Sequence, residues 1–177
     1  NISSSSNTLT VVFNVGAGGA GTYSGSITGT TQITKTGAGS LILSGTSLFT
    51  GNTNVSQGVL KISGHLYCAN MACSVEQNAG AIITISSGAT FELTDWNWQG
   101  SLGSLYFEKS YIVIDGGTLK NSSATSITNA RSFTVTANGG TIENATNGAT
   151  WGVLYSTYAG YSSLFNGNVK FTGAGNF

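Results

Sequence analysis

Trp96 and Trp98 stand two residues apart in the stretch TDWNWQG, alternating with Asp95, Asn97 and Gln99. In an extended segment, residues two apart project from the same side. The two indoles then form a pair, and the three polar side chains face away or frame it. Planar indoles beside amide and carboxylate groups suit a pyranose ring. The C–H face of the sugar packs on the aromatic face, and its hydroxyls find bidentate partners. Aromatic side chains bring a large contact area, and a few placed polar groups set orientation. A second group, Trp151, Tyr155, Tyr158 and Tyr161, lies in TWGVLYSTYAGYSSLF and extends such a platform if it occupies the same side. The competing structural reading is that these rings cap the core or fill space beneath long loops. Polar neighbours favour binding, because a core strand is built from aliphatic residues.

Catalysis is not expected. Glycoside hydrolysis needs two carboxylates about 5 to 10 Å apart, and the chain offers Glu76, Glu92, Asp95, Glu108, Asp115 and Glu143. Asp95 and Asp115 lie in no Asp-x-Asp cluster, Arg131 is the one arginine, and no calcium-loop spacing occurs. Nothing reads as a nucleophile elbow or a phosphate loop. Glu92, Lys120, Glu143 and Lys170 each follow an apolar residue in matching places and are expected to form an outward stripe of alternating charge. Cys68 and Cys73 enclose four residues. A local disulfide formed in an oxidising compartment is favoured over two free thiols. Two cysteines and one histidine do not make a zinc site, so no metal and no cofactor is expected.

The elements that position these residues follow from composition and periodicity. The 177 residues include 26 glycines and no proline, only 7% are charged, and the formal net charge is zero. Without a basic patch, phosphate-backbone neutralisation has no source, so nucleic acid is not an expected partner. Anionic membranes are disfavoured for the same reason, and no apolar run reaches transmembrane length. Disorder is the competing reading of so much Gly, Ser and Thr. It fails because 40% of the residues are hydrophobic and they recur in register.

Apolar residues alternate with a period of two behind a series of glycines. Leu41/Leu43 follow Gly39, and Leu60/Ile62 follow Gly58 nineteen residues later. The same signature returns at Gly88, Gly117, Gly140 and Gly167. Alternation predicts half-buried strand, and repetition predicts stacked coils. A second strand is expected in each coil, at 81–86, 110–115 and 132–137, and a first strand at 8–15 with Leu9, Val11, Phe13 and Val15 on one face. The expected fold is all-β: a parallel β-helix (β-solenoid) of six or seven coils, roughly 30 Å long at about 4.8 Å per strand. Helix is not expected. Three segments depart from the repeat, at 64–77, 94–107 and 150–165, and insertions of this kind carry specialisation in solenoids.

Lys35-Thr36-Gly37-Ala38-Gly39, Leu41, Leu43-Ser44-Gly45, Phe49-Thr50-Gly51, Thr53, Val55, Gly58, Leu60 and Ile62 resemble the passenger-associated repeat of bacterial autotransporters. That resemblance implies a right-handed parallel β-helix in a secreted or cell-surface protein, and it leaves function open. In architecture and aromatic content the chain is also similar to the β-helical carbohydrate-binding modules of plant-polysaccharide-degrading enzymes of gut bacteria.

The expectation from the sequence is therefore a single domain over 1–177, excised from a longer secreted protein. It is read as a non-catalytic carbohydrate-binding module that binds a plant cell-wall polysaccharide, xylan or otherwise a β-glucan, and targets an attached glycoside hydrolase. The ligand-binding residues would be Asp95, Trp96, Asn97, Trp98, Gln99, Trp151, Tyr155, Tyr158 and Tyr161. The alternative is a structural or adhesive passenger segment of an autotransporter-like surface protein. A β-helix lyase or hydrolase ranks third.

Overall fold

A computed structural model of the chain describes residues 1–5, 7–45, 47–63, 82–94, 111–124, 133–148 and 164–177. Every element among them is a strand. In order they are β1 (Ile2–Ser4), β2 (Thr10–Asn14), β3 (Ala20–Tyr23), β4 (Ile27–Gly29), β5 (Gln32–Thr36), β6 (Ser40–Leu43), β7 (Leu48–Phe49), β8 (Thr53–Val55) and β9 (Val59–Ile62). Then follow β10 (Ile82–Ser86), β11 (Thr90–Leu93), β12 (Tyr111–Asp115), β13 (Thr118–Asn121), β14 (Phe133–Val135), β15 (Gly140–Asn144), β16 (Leu164–Phe165) and β17 (Val169–Thr172).

The strands stack as two seven-stranded parallel sheets. One runs β2-β5-β8-β10-β12-β14-β16 and the other β3-β6-β9-β11-β13-β15-β17. Each coil gives one strand to each sheet, so the chain makes seven turns of a parallel β-helix. A third parallel sheet, β1-β4-β7, closes the first three coils.

Side chains alternate between the two faces of each strand, and the inward ones align in columns. Leu41, Leu60, Phe91, Leu119 and Ile142 form one buried column in register. Ile85, Ile114 and Val135 continue another, and with Ile27, Ile33 and Ile112 they belong to one continuous core. Burial of this apolar stack is the main favourable term for the fold. The inward column also explains why the strands are short. Each run needs only two apolar positions before the backbone must turn a corner.

Two expectations are corrected. The strand expected first, at 8–15, is β2 and runs Thr10–Asn14 behind β1; Leu9 lies outside it at 40% exposure, while Val11, Phe13 and Val15 are half-buried. The charged stripe is Lys61, Glu92, Lys120 and Glu143, and Lys170 is not in it. Lys170 pairs with Thr141, because Phe171, not Val169, is the residue stacked on Ile142.

Candidate functional site: the variable flank

The two sides of the coil are unlike. Between the two large sheets the chain turns in two to five residues in every coil. On the return side, β9 to β10, β11 to β12, β13 to β14 and β15 to β16 are joined by 11 to 19 residues. In the earlier coils the same passage is made through the small strands β4 and β7.

The exits of the long connections are stacked. Ser63 N–H donates to the Leu43 carbonyl at 3.0 Å, Thr94 to Ile62 at 3.1 Å, Ser122 to Leu93 at 2.8 Å and Ala145 to Asn121 at 2.8 Å. The Thr94 hydroxyl also donates to the Ile62 carbonyl, at 3.0 Å. At the next turn of the chain, β10, β12, β14 and β16 lie in adjacent register in one sheet. The parallel topology therefore roots all four connections along one flank, one above another.

Asparagines are built into this flank from the inside. The column that holds Leu43, Ile62 and Leu93 continues as Asn121 and Asn144, both fully buried. Asn121 Nδ2 donates to Asn144 Oδ1 at 3.0 Å, and Asn144 Nδ2 donates to the Asn176 carbonyl at 2.8 Å. Asn121 Oδ1 also accepts the Ser123 N–H at 2.9 Å, so the ladder holds the exit backbone. Buried amides are tolerated because their polar groups are bonded.

Among the described residues, the outer face carries two ion pairs, Lys61–Glu92 and Lys120–Glu143, each at 3.2 Å. Glu92 also accepts the Ser122 hydroxyl at 2.7 Å. At the short corner, Asp115 accepts from the Thr136 hydroxyl and from Asn138 Nδ2, at 2.8 Å for the latter. Those two hydrogen bonds hold its carboxyl below the ordinary carboxylate value. Asp115 is thus occupied by the corner of the next coil. Among the described residues, no three His, Cys, Asp or Glu side chains gather into a metal-binding group.

The residues singled out from the sequence as ligand-binding lie outside the described residues. They are Asp95, Trp96, Asn97, Trp98 and Gln99 in one long connection and Trp151, Tyr155, Tyr158 and Tyr161 in another. Cys68 and Cys73 also lie outside them, in a third. The topology shows which strands these connections join. Sequence reasoning missed the Asn121–Asn144 ladder, whose signal was an Asn at the second inward position of two successive strands, TLKN and TIEN.

Comparison with known proteins bears on function directly. Residues 33–62 match the family model of the passenger-associated transport repeat. Over 150 residues, 84% of this chain, the sequence is 32% identical to the BmaC autotransporter adhesin of Brucella suis biovar 1 (strain 1330). The chain spans about 4% of that relative's length. No solved structure matches.

These likenesses overturn the carbohydrate-binding reading, with its xylan ligand and its attached hydrolase, in favour of the passenger alternative. Two tryptophans at i and i+2 describe a local pattern that any exposed contact surface can use, so the pattern never specified a sugar. The likeness to gut bacterial carbohydrate-binding modules finds no support in either match.

Proposed function

We propose that this chain is a non-catalytic, surface-displayed segment of an autotransporter-type adhesin, in which the stacked coils form a stalk and one flank presents contact residues. The observation that carries this reading is the 32% identity to an autotransporter adhesin across 84% of the chain. The passenger-repeat match at residues 33–62 supports it independently. The fold suits the role. A parallel coil stack gives a regular scaffold, and contact residues on connections held by such a scaffold are a common division of labour. Trp96, Trp98, Trp151 and Tyr155 belong to connections rooted on that flank, and large rings there supply contact area at low entropic cost. Placement outside the cell follows from the same reading.

The test is adhesion. Beads coated with the purified chain are expected to be retained on animal-cell monolayers above albumin-coated beads, and soluble chain is expected to compete them off. Retention no greater than albumin would remove the adhesive role and leave a spacer.

A further inference from the structure

Lys35 is fully buried, in a column that is otherwise apolar. Its register neighbours are Phe13 in the coil before and Val55 in the coil after. Among the described residues no carboxylate pairs with it, and the ion pairs there are Lys61–Glu92 and Lys120–Glu143. Its three ammonium protons go instead to three backbone carbonyls, Thr36 at 2.8 Å, Gly37 at 2.7 Å and Gln57 at 3.1 Å. Two of these belong to its own corner and the third to the corner of the next coil. An ammonium has three donors and no acceptor, so the match in number is complete.

The glycine turn creates the need. Gly37 sits at φ +73°, and a Cβ there would meet the Val15 carbonyl oxygen at 2.3 Å and Asn14 Oδ1 at 2.5 Å. Corners packed this closely leave no room for a side chain or a water layer between coils. Carbonyls turned toward such an interior are costly unless a donor reaches them. Lys35 reaches them from within.

We propose that these three carbonyls form a primary-ammonium site, occupied by Lys35, which clamps the corner of one coil to the corner of the next. The site recognises a charged group with three N–H donors, so neither an apolar side chain of equal length nor a quaternary ammonium replaces it. The Lys-Thr-Gly-Ala-Gly run then has a physical meaning: the glycines permit the close corner and the lysine satisfies what the corner exposes.

Lys35→Ala removes the equivalent of n-propylammonium, which makes the site testable by replacement. Refolded Lys35→Ala is expected to gain urea midpoint with added n-propylammonium, beyond any gain of the wild type. Tetramethylammonium and n-propanol are expected to give no such gain. Equal effects of all three additives, or none with the variant folded, would overturn the site. If Lys35→Ala does not fold, Lys35→Met fills the space without the donors and is expected to unfold at lower urea than the wild type. A Lys35→Met midpoint equal to wild type would overturn the proposal. Acetylation of the native wild type with acetic anhydride gives a check that needs no variant. Lys35 is expected to react more than about tenfold slower than exposed Lys170, because only an opened coil exposes it. Equal rates would overturn the clamp.

Discussion

The short corner and the long flank of each coil obey different rules. At the short corner, backbone packs on backbone between coils, and the connection stays at two to five residues throughout the stack. On the return side the chain passes through small strands in three coils and through 11 to 19 residues in the next four. The corner fixes the rise of the helix, while the flank is free to vary in length and composition. The contrast explains how one chain can carry a regular scaffold together with connections of unequal length, since a longer connection costs little extra closure entropy.

The largest effect is expected where a tight corner coincides with a positive φ. Gly37→Ala adds a Cβ at positive φ into the Val15 carbonyl, and should cost about 3 kcal/mol or more in urea unfolding followed by circular dichroism. Gly88 has a similar φ of +74°, but nothing lies within 4 Å of its added Cβ. Gly88→Ala should therefore cost only the left-handed penalty, about 1 to 2 kcal/mol. Similar costs at the two positions would break the distinction between tight and open corners.

On the flank side, Asn144→Ala removes the central rung between Asn121 and the Asn176 carbonyl. Loss of a buried amide that bridges two partners should lower stability by about 1 to 3 kcal/mol in the same assay. A neutral result would show that the ladder does not anchor the exits.

Asp115 sharpens the contrast through pH. Its folded-state pKa lies below the ordinary value, so the stabilisation it provides is complete above the unfolded pKa. That stabilisation is lost as pH falls through the lowered folded value. Asp115→Asn should flatten the acid limb of a stability-versus-pH profile below about pH 4. The stability lost on substitution should be largest near neutral pH, where the carboxylate's contribution is complete, and should shrink as pH falls through the lowered value.

The smallest effect is expected from the outer stripe. Lys61 and Glu92 are partly exposed, at 34% and 14% of their side-chain surface. Glu92→Gln should cost less than about 1 kcal/mol, and the difference should shrink further in high salt.

Much of the scaffold was legible because its rules are local. Alternation behind a glycine identifies Leu41/Leu43, Leu60/Ile62, Phe91/Leu93 and Ile142 as inward residues, and those positions are buried. Register between coils was less legible, since uneven connections shift the count. Lys170 was placed in the charged stripe because it follows Val169, yet the residue stacked on Ile142 is Phe171. Lys35 shows a different limit. Its spacing from Ile33 puts it on the inward face, but charge argues against burial until the turn carbonyls are in view. The candidate site was legible only as composition. Aromatic residues concentrate in the long connections, and this marks them as special without specifying what they meet.

The central claim is that adhesion resides on the variable flank and stability in the stacked coils. It is tested most directly by replacing residues 95–110 and 149–163 with short Gly/Asn turns and measuring bead retention and urea unfolding on the same preparation. The account predicts that retention falls to the albumin level while the parallel-β circular dichroism signal and the unfolding transition persist. Full retention by the shortened chain would contradict it and move adhesion to the faces of the coil stack.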